Sequence, residues 1–507
     1  MKKNKIFELE KLSKIIKEKK KSKNKIVLCH GVFDLVHFGH IAHFNKAKEL
    51  GDILIVTTTA DKFINKGPNR PYYNLETRKK YLSNLEMIDY VSHVNSPSAI
   101  QAIKQLKPDI YCKGLDYKKL KDDITKKIQK EIAEVKKNKG KIVYTNEITF
   151  SSSKILSEEQ LILNQHQQNE VLKIKNKFDY EDIKKIFYEI KKLKVLIIGE
   201  LIIDRYTFCE PLGKSGKDPI MMFKKNASDI YVGGSGAIAN NVSQFCKNVK
   251  ILTIRGKKDK FKRFIDLNLS KNIKKDFLEI SNFNTIEKEK ILDLNSNNKI
   301  VGFYNYNDAS NSQSTVKKLK EKLIHNIKKY DLVIVADYGH GLINKEISNL
   351  ICKASKFLVV NSQINAANIF HHNLNNFKNT TVTIINEGEL RHELRDKDNN
   401  LNILIKKLSK IIKTKFIVVT RGSKGSILYE TNKNRFTKSA AYSPKIVDKI
   451  GSGDTLMAVF SIFLKKTEDI NLSLFLSSLA ASQSVQIVGN SSKIKPDTML
   501  KTIQHLI

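Results

Sequence analysis

Short apolar segments alternate with helix-period stretches along most of the chain, and this rhythm restricts the fold more than any other feature. KIVLCHGVF, DILIVTTTA, DYVSHV, DIYCKG and KIVYTN are strand-like runs in the first third. Stretches such as HIAHFNKAKELG and SAIQAIKQLK lie between them and are long enough for crossover helices. Parallel strands need such crossovers, so the pattern predicts a doubly wound α/β sheet. The rhythm restarts at KVLIIGELIID and runs through VKILTIRG, DLVIVADYG, KFLVVNS, TVTIIN and KFIVVTRG to a long helical C-terminal segment. The 507 residues then divide into a charged helix at 1–22, expected to be a solvated lead-in, a first domain at 23–160, a polar helical linker at 161–192 and a second domain at 193–507. There is no repeat of the solenoid kind.

The formal net charge is +38, from 90 Lys+Arg against 52 Asp+Glu. Charge of that size invites a nucleic-acid reading. The lysines, however, are spread along the whole chain, and neither zinc-finger spacing nor an aromatic RNA-binding signature accompanies them. Abundant Lys, Asn and Ile together mark a compositional bias, and small anionic substrates suit the charge equally well. The expectation is therefore no nucleic-acid partner. No apolar run approaches the ~20 residues that span a bilayer, and the basic N-terminus lacks a signal-peptide core, which predicts a cytoplasmic protein without a membrane partner. Cys29, Cys112, Cys209, Cys246 and Cys352 lie far apart with no CxxC pair, so neither a zinc site nor a disulfide framework is expected.

Two short stretches carry chemistry. In HGVFDLVHFGH, Gly31 and Gly39 let the backbone approach a ligand closely. His37 and His40 are three apart where a helix should begin, so both can face one anion. A helix start binds phosphate through its N–H groups, and imidazole donors there stabilise charge that builds on an attacked phosphoanhydride. Two histidines can also ligate zinc, but a third ligand at a sensible spacing is missing. Taken alone they would be an ordinary surface pair. In DKIGSGDTLMAVF, the amides of Gly451, Ser452 and Gly453 form a nest for a phosphoryl group. Asp454 at the same helix start can take a proton from an attacking hydroxyl. Alone, GSGD would equally be an N-cap aspartate on a glycine turn.

Neither stretch is alone. GVFDLVHFGHIAHF, followed by DKFINKGPNRPYYNLETR, KPDIYCKGLDY and ITFSSSKIL, resembles the HxGH nucleotidylyltransferases of the cytidylyltransferase-like branch over residues 25–156. The resemblance implies a Rossmann-like nucleotidylyltransferase fold in which Gly31, Phe33, Gly39, His37 and His40 meet the nucleotide phosphates. It makes Lys66, Arg78 and Lys113 anion contacts and places Ser151 and Ser152 on phosphate at a closing helix start. Asp34 is read as structural or ribose-proximal, and His30 and His43 receive no role. TNEITF lacks the arginine of the glycerol-phosphate and choline-phosphate members, which points to sugar 1-phosphates.

IIGELIIDRY, YVGGSGAIANNVSQF, VIVADYGHG, INEGE, VVTRGSKGS and GSGDT resemble the ribokinase-like PfkB sugar kinases in order, over nearly all of 193–500. By that resemblance Asp204, Gly233, Gly234 and Asn240 bind the sugar, with Asn240 the foremost. Asn386 and Glu389 organise Mg2+ through water. Thr420, Arg421 and Gly422 lie against the nucleotide. Gly451, Ser452 and Gly453 form the anion hole, Asp454 is the base, and Asp337 lies near the phosphates. Glu200 stands where an aspartate is usual, so substrate contacts there are expected to differ.

Together the two resemblances imply a bifunctional enzyme of nucleotide-sugar synthesis. One half phosphorylates a heptose-like sugar or sugar phosphate with ATP. The other transfers a nucleotidyl group from CTP or ATP to a sugar 1-phosphate, with Mg2+ in attendance. Two other readings stand beside it: a nucleotidylyltransferase with a non-catalytic kinase-like domain, and a nucleic-acid-binding protein. Folds of both kinds often pair, so analogy also implies a homodimer.

Overall fold

The computed structural model describes residues 4–64, 70–114, 127–145, 163–281, 283–306, 312–364, 374–443 and 447–507. The chain forms two compact units, residues 1–168 with 497–507, and residues 169–496.

The first unit is built on strands β1 (Ile26–Gly31), β2 (Ile53–Thr59), β3 (Tyr90–Val94), β4 (Ile110–Gly114) and β5 (Lys141–Thr145), in the order β3-β2-β1-β4-β5. Every pair is parallel. The order reverses between β1 and β4, and at such a switch point the carboxyl ends of the strands leave a ligand crevice. Helices α1 (Leu9–Lys21), α2 (Phe38–Glu49), α3 (Leu75–Ser83), α4 (Ile100–Leu106) and α5 (Lys127–Lys137) also belong to the unit, as does the C-terminal helix from residue 497 on.

The N-terminal helix corrects the reading of a solvated lead-in. Leu9, Leu12 and Ile16 recur at helical spacing and are buried. They share a core with Leu28, Ile55, Ile103, Leu106 and Tyr111, and Ile6 bridges to Val91 beyond the helix. The polar helix faces hid this stripe, because lysines dominate the composition of α1 while three positions decide its packing.

The strands of the second unit that matter most below are β6 (Lys194–Gly199), β7 (Leu201–Lys214), β8 (Met221–Gly234), β11 (Ile286–Asp293), β12 (Lys299–Asn305), β13 (Leu332–Asp337), β15 (Val382–Asn386) and β16 (Phe416–Thr420). The unit adds strands β9 (Asn248–Gly256), β10 (Ile273–Ile280), β14 (Leu358–Ser362), β17 (Ser426–Glu430) and β18 (Arg435–Ser439). It has a nine-stranded sheet in the order β10-β9-β6-β13-β14-β15-β16-β17-β18 and a four-stranded sheet in the order β12-β11-β7-β8. The large sheet is parallel from β10 to β16. Its core strands are continuous apolar runs, as expected of strands covered on both faces. Helices Ser235–Phe245, Ser452–Thr467 and Ile470–Ser484 are buried along most of their length.

The stretch read as a linker carries helices Gln165–Lys175 and Tyr180–Glu189. The second is closed by an Asp179–Asp182 capping box, and Phe187 packs against Phe245 and Phe463 at 5.9 and 4.9 Å between ring centres. Residues 169–192 are therefore part of the second unit. No described helix is long and apolar enough to cross a membrane.

Replacing Leu12 by alanine is expected to lower the unfolding free energy of the first unit by about 2–5 kcal/mol, the usual cost of emptying a core leucine site. Urea unfolding followed through that unit checks this; an unchanged midpoint would mean that α1 is dispensable.

Candidate active sites

In the first unit β1 ends at Gly31 and α2 begins at Phe38, at the switch point of the sheet. Phe33 turns the chain between them with a left-handed backbone, φ +48°, rare for a bulky residue. The Tyr81 hydroxyl donates to its carbonyl, and its ring packs edge-on against His40 and Phe44 at 5.5 and 5.1 Å. His37 is the N-cap of α2. Its backbone N–H donates to His40 Nδ1 at 3.4 Å, and the two rings lie 3.9 Å apart. A ring whose Nδ1 accepts carries its neutral-form proton on Nε2. The structure thus brings His37, Gly39 and His40 together at a helix N-terminus beside Gly31 and Phe33. Lys66, Ser151 and Ser152 lie outside the described residues.

Arg78 corrects the sequence reading. Its side chain is fully buried, and all five N–H donors are engaged. They go to Tyr73 O, Val32 O, Thr58 Oγ1, Thr59 O and Asp61 Oδ1. A guanidinium with no donor left is a bracket between β2, α3 and the β1–α2 loop, not a phosphate contact. Lys113 also points inward. It lies 3.6 Å from Glu131 Oε2 and 3.5 Å from His30 O. Burial first, and then the Lys113 charge, push His30 and His43 down to about 4, so both are neutral at pH 7. Asp34 is structural, accepting from Arg70 Nε and from the backbone N–H groups of Tyr72 and Tyr73.

In the second unit the turn before helix Ser452–Thr467 places Gly451 at φ +79°, where an added Cβ would also lie 2.2 Å from Asn490 Oδ1. Glycine is therefore required for both reasons. Gly453 opens to free space, and the Ser452 hydroxyl donates to Lys449 O at 2.8 Å. Asp454 sits in the first helical turn. Its Oδ1 accepts from the Tyr338 hydroxyl at 2.9 Å. Burial raises its pKa to about 7, against the opposing hydrogen bond from Tyr338. A carboxyl near 7 is matched to general-base duty at neutral pH.

Glu200 and Tyr338 are the residues that sequence reasoning assigned no such part. The Glu200 carboxylate is buried and accepts from the backbone N–H groups of Tyr338, His340 and Leu342 at 2.9, 3.2 and 3.3 Å. Burial, then the neighbouring Asp337, raises it to about 7. It shapes the turn after β13 from inside, which is where its departure from aspartate matters. Asp337 caps that turn through Gly339 N–H and the Ser362 hydroxyl.

Asp204 on β7 is buried and pairs with Lys290 Nζ at 3.2 Å. A Cβ on Gly233 would lie 2.1 Å from Asp204 Oδ2, so that glycine makes room for the carboxylate. Gly234 is the N-cap of helix Ser235–Phe245. Lys288, two residues before Lys290 on the same strand face, lies over the rings of Tyr304 and Tyr338 at 5.1 and 5.6 Å. Burial lowers its pKa, against the pull of Asp204, Glu200 and Asp454. The alternation in TIEKEKIL was the available signal: Glu287 and Glu289 pair with Arg205, Lys260 and Thr207 on one face, while the lysines share the other.

Asn240 is a second correction. Its amide donates to Asn268 O at 3.0 Å, and its carbonyl accepts from Ser270 N–H and Oγ at 2.9 and 3.1 Å. It holds the 268–270 turn, a structural part that the sequence reading did not foresee. Asn386 and Glu389 form a reciprocal capping box at the end of β15, with N···O distances of 2.8 and 3.0 Å. Thr420 ends β16. Arg421 donates to Glu387 Oε2 at 3.0 Å, and Gly422 faces open space at φ +56°.

The model of the pfkB family of carbohydrate kinases matches residues 192–497, and the cytidylyltransferase-like model matches residues 28–200. The chain is 24% identical over 300 residues to Bifunctional protein HldE of Koribacter versatilis, covering 59% of this chain and 60% of that protein. It is 40% identical over 131 residues to Bifunctional protein HldE of Helicobacter hepaticus, covering 25% of this chain and 27% of that protein. The matched stretches thus span less than two thirds of these relatives. Among solved structures, a putative ribokinase from Agrobacterium tumefaciens aligns with a TM-score of 0.51 at 14% identity, covering 62% of this chain and 98% of that one. Phosphofructokinase-2 from Escherichia coli with substrates and products aligns with 0.51 at 14%, covering 62% and 99%. The likeness is one of fold: the second unit is ribokinase-like, and the first is Rossmann-like with a parallel sheet.

Arg78→Ala should act on stability. We expect a loss of several kcal/mol, as when one partner of a buried charged network is removed, seen as a lower thermal midpoint of the first unit. A variant of wild-type stability with weakened triphosphate binding would restore Arg78 as an anion contact.

Proposed function

The chain belongs to the pfkB carbohydrate kinase family, and from that premise we propose that it performs two steps of nucleotide-sugar synthesis. The second unit phosphorylates a heptose-like sugar phosphate with ATP. The first transfers a nucleotidyl group from CTP or ATP to a sugar 1-phosphate and releases pyrophosphate. The observation that carries the kinase step is the meeting of Asp454, Tyr338, Asp204 and Lys288 above the glycine turn. Asp454 takes the proton of the acceptor hydroxyl. The freed oxygen attacks the γ-phosphorus, and the bond to the bridging oxygen of ADP breaks. Amides at residues 451–453 face the transferring phosphoryl group. Tyr338 holds the base in place.

Lys288 and Lys290 form a cationic roof on the acceptor side. This favours an anionic acceptor over a neutral sugar, since a partly buried ammonium gains most from an opposite charge. Magnesium prefers oxygen ligands and keeps several waters, and the oxygens of Asn386 and Glu389 fit such an outer contact. When bound, the ion neutralises phosphate charge. In the first unit the sugar phosphate attacks the α-phosphorus while His37 and His40 stabilise the charge that develops. The reaction there needs position and charge rather than a nucleophilic side chain.

Small-molecule sugar phosphates and nucleotides are the proposed partners, in the cytoplasm where triphosphates are available. A homodimer is also proposed: β12 is exposed throughout, and Ile300, Val301, Phe303, Met221 and Met222 leave an apolar surface on the small sheet, as interaction patches do.

Mass spectrometry of heptose 7-phosphate and a panel of sugar 1-phosphates, each with Mg2+ and ATP or CTP, tests the two steps. His40→Ala should abolish the nucleotide-sugar and spare the kinase product; Asp454→Asn should do the reverse. A variant that leaves both rates untouched removes that residue from its site.

The kinase rate should follow the ionised form of Asp454. Below pH about 7 kcat/KM is expected to fall about tenfold per unit as the base is protonated, and above that pH it levels off. A flat profile from pH 5 to 9 would deny Asp454 the role of base.

A further inference from the structure

Cys29 and Cys112 are far apart in sequence but face one another on neighbouring parallel strands, in direct register between β1 and β4. Both thiols are buried in the core under α2. His43, one turn beyond His40 on α2, reaches the same place. Its ring nitrogen and the two sulfurs all lie within 4.8 Å of one another. His43 Nδ1 is held by Thr145 Oγ1 at 2.7 Å. With Nδ1 protonated and donating to that hydroxyl, Nε2 carries the lone pair, the arrangement found around metal-bound imidazoles, whose other nitrogen is fixed by an outer partner.

We propose that Cys29, Cys112 and His43 bind one zinc ion inside the first unit. Two thiolates and an imidazole, with no carboxylate among them, select a soft or borderline ion and reject Mg2+ and Ca2+. Tetrahedral zinc with bonds of about 2.3 Å to sulfur and about 2.0 Å to nitrogen sets its ligand atoms roughly 3.5–3.8 Å apart. Since the three atoms already lie within 4.8 Å of one another, a contraction of at most about 1 Å reaches that geometry. Three protein ligands leave a fourth position for water, and half-buried His43 gives the side of entry. The ion ties β1, β4 and α2 together, and so fixes the helix that carries His37 and His40. Binding displaces two thiol protons to solvent.

The test uses the full chain, freed of metal and titrated with zinc against a chromophoric chelator. It is repeated with cobalt, whose thiolate charge-transfer absorption reports sulfur ligation. One equivalent should bind, with a two-sulfur cobalt spectrum. Cys112→Ser and His43→Gln should abolish it, and Cys246→Ser, in the second unit, should not. Thr145→Val should weaken binding about 10–100-fold, as loss of an outer partner does. Thermal unfolding of each metal-free variant beside the metal-free wild type shows that the fold persists; should Cys112→Ser unfold, the half-buried His43→Gln decides. Wild-type binding far below one equivalent, a cobalt spectrum without thiolate charge transfer, or binding undiminished in His43→Gln overturns the proposal.

Discussion

A carboxylate shut inside the protein sets the geometry of the second unit. Glu200, just past the end of β6, accepts three backbone N–H groups from the turn after β13. A charge placed there without donors would be costly, so the turn can take only the course that supplies them. That course carries the Tyr338 ring to Asp454. Asp454 is therefore positioned through a relay that starts at a buried carboxylate. The extra methylene of glutamate over aspartate lets the carboxylate reach past the strand end to the N–H groups of three alternate residues. This gives the departure at residue 200 a structural cause.

The two candidate sites are built by different means. In the first, a helix start and two imidazoles supply donors, and the nearby cations are turned inward: Arg78 onto carbonyls and Asp61, Lys113 toward Glu131. In the second, a glycine turn leads into a helix whose first turn holds a carboxylate of raised pKa. Burial does opposite things in the two places. It keeps His30 and His43 neutral, and it keeps Asp454 close to the pH at which it can exchange a proton.

Much of the architecture was legible because it rests on periodicity. Apolar runs separated by crossover lengths gave both parallel sheets, and the HxGH and GSGD turns announced helix starts. The misreadings have one cause. Arg78 and Asn240 were assigned by residue type and local motif, yet what they do depends on partners that only folding brings near: Val32 and Thr59 for the arginine, Asn268 and Ser270 for the amide. The small apolar stripe of α1 was obscured by its lysines, although Leu9, Leu12 and Ile16 stand at helical spacing.

The sequence by itself determined the succession of strands and helices, the positions of two glycine-containing turns, and the presence of His37, His40 and Asp454 at helix starts. Those properties are local: a strand period, a glycine, a cap. Only the tertiary structure decided that Tyr338 and Asp204 flank Asp454, that the lysines of β11 roof the same space, and that Cys29, Cys112 and His43 converge under α2. Each of those meetings joins residues from separate strands and helices. Side-chain chemistry sets what such groups can do, but register and packing set which of them touch.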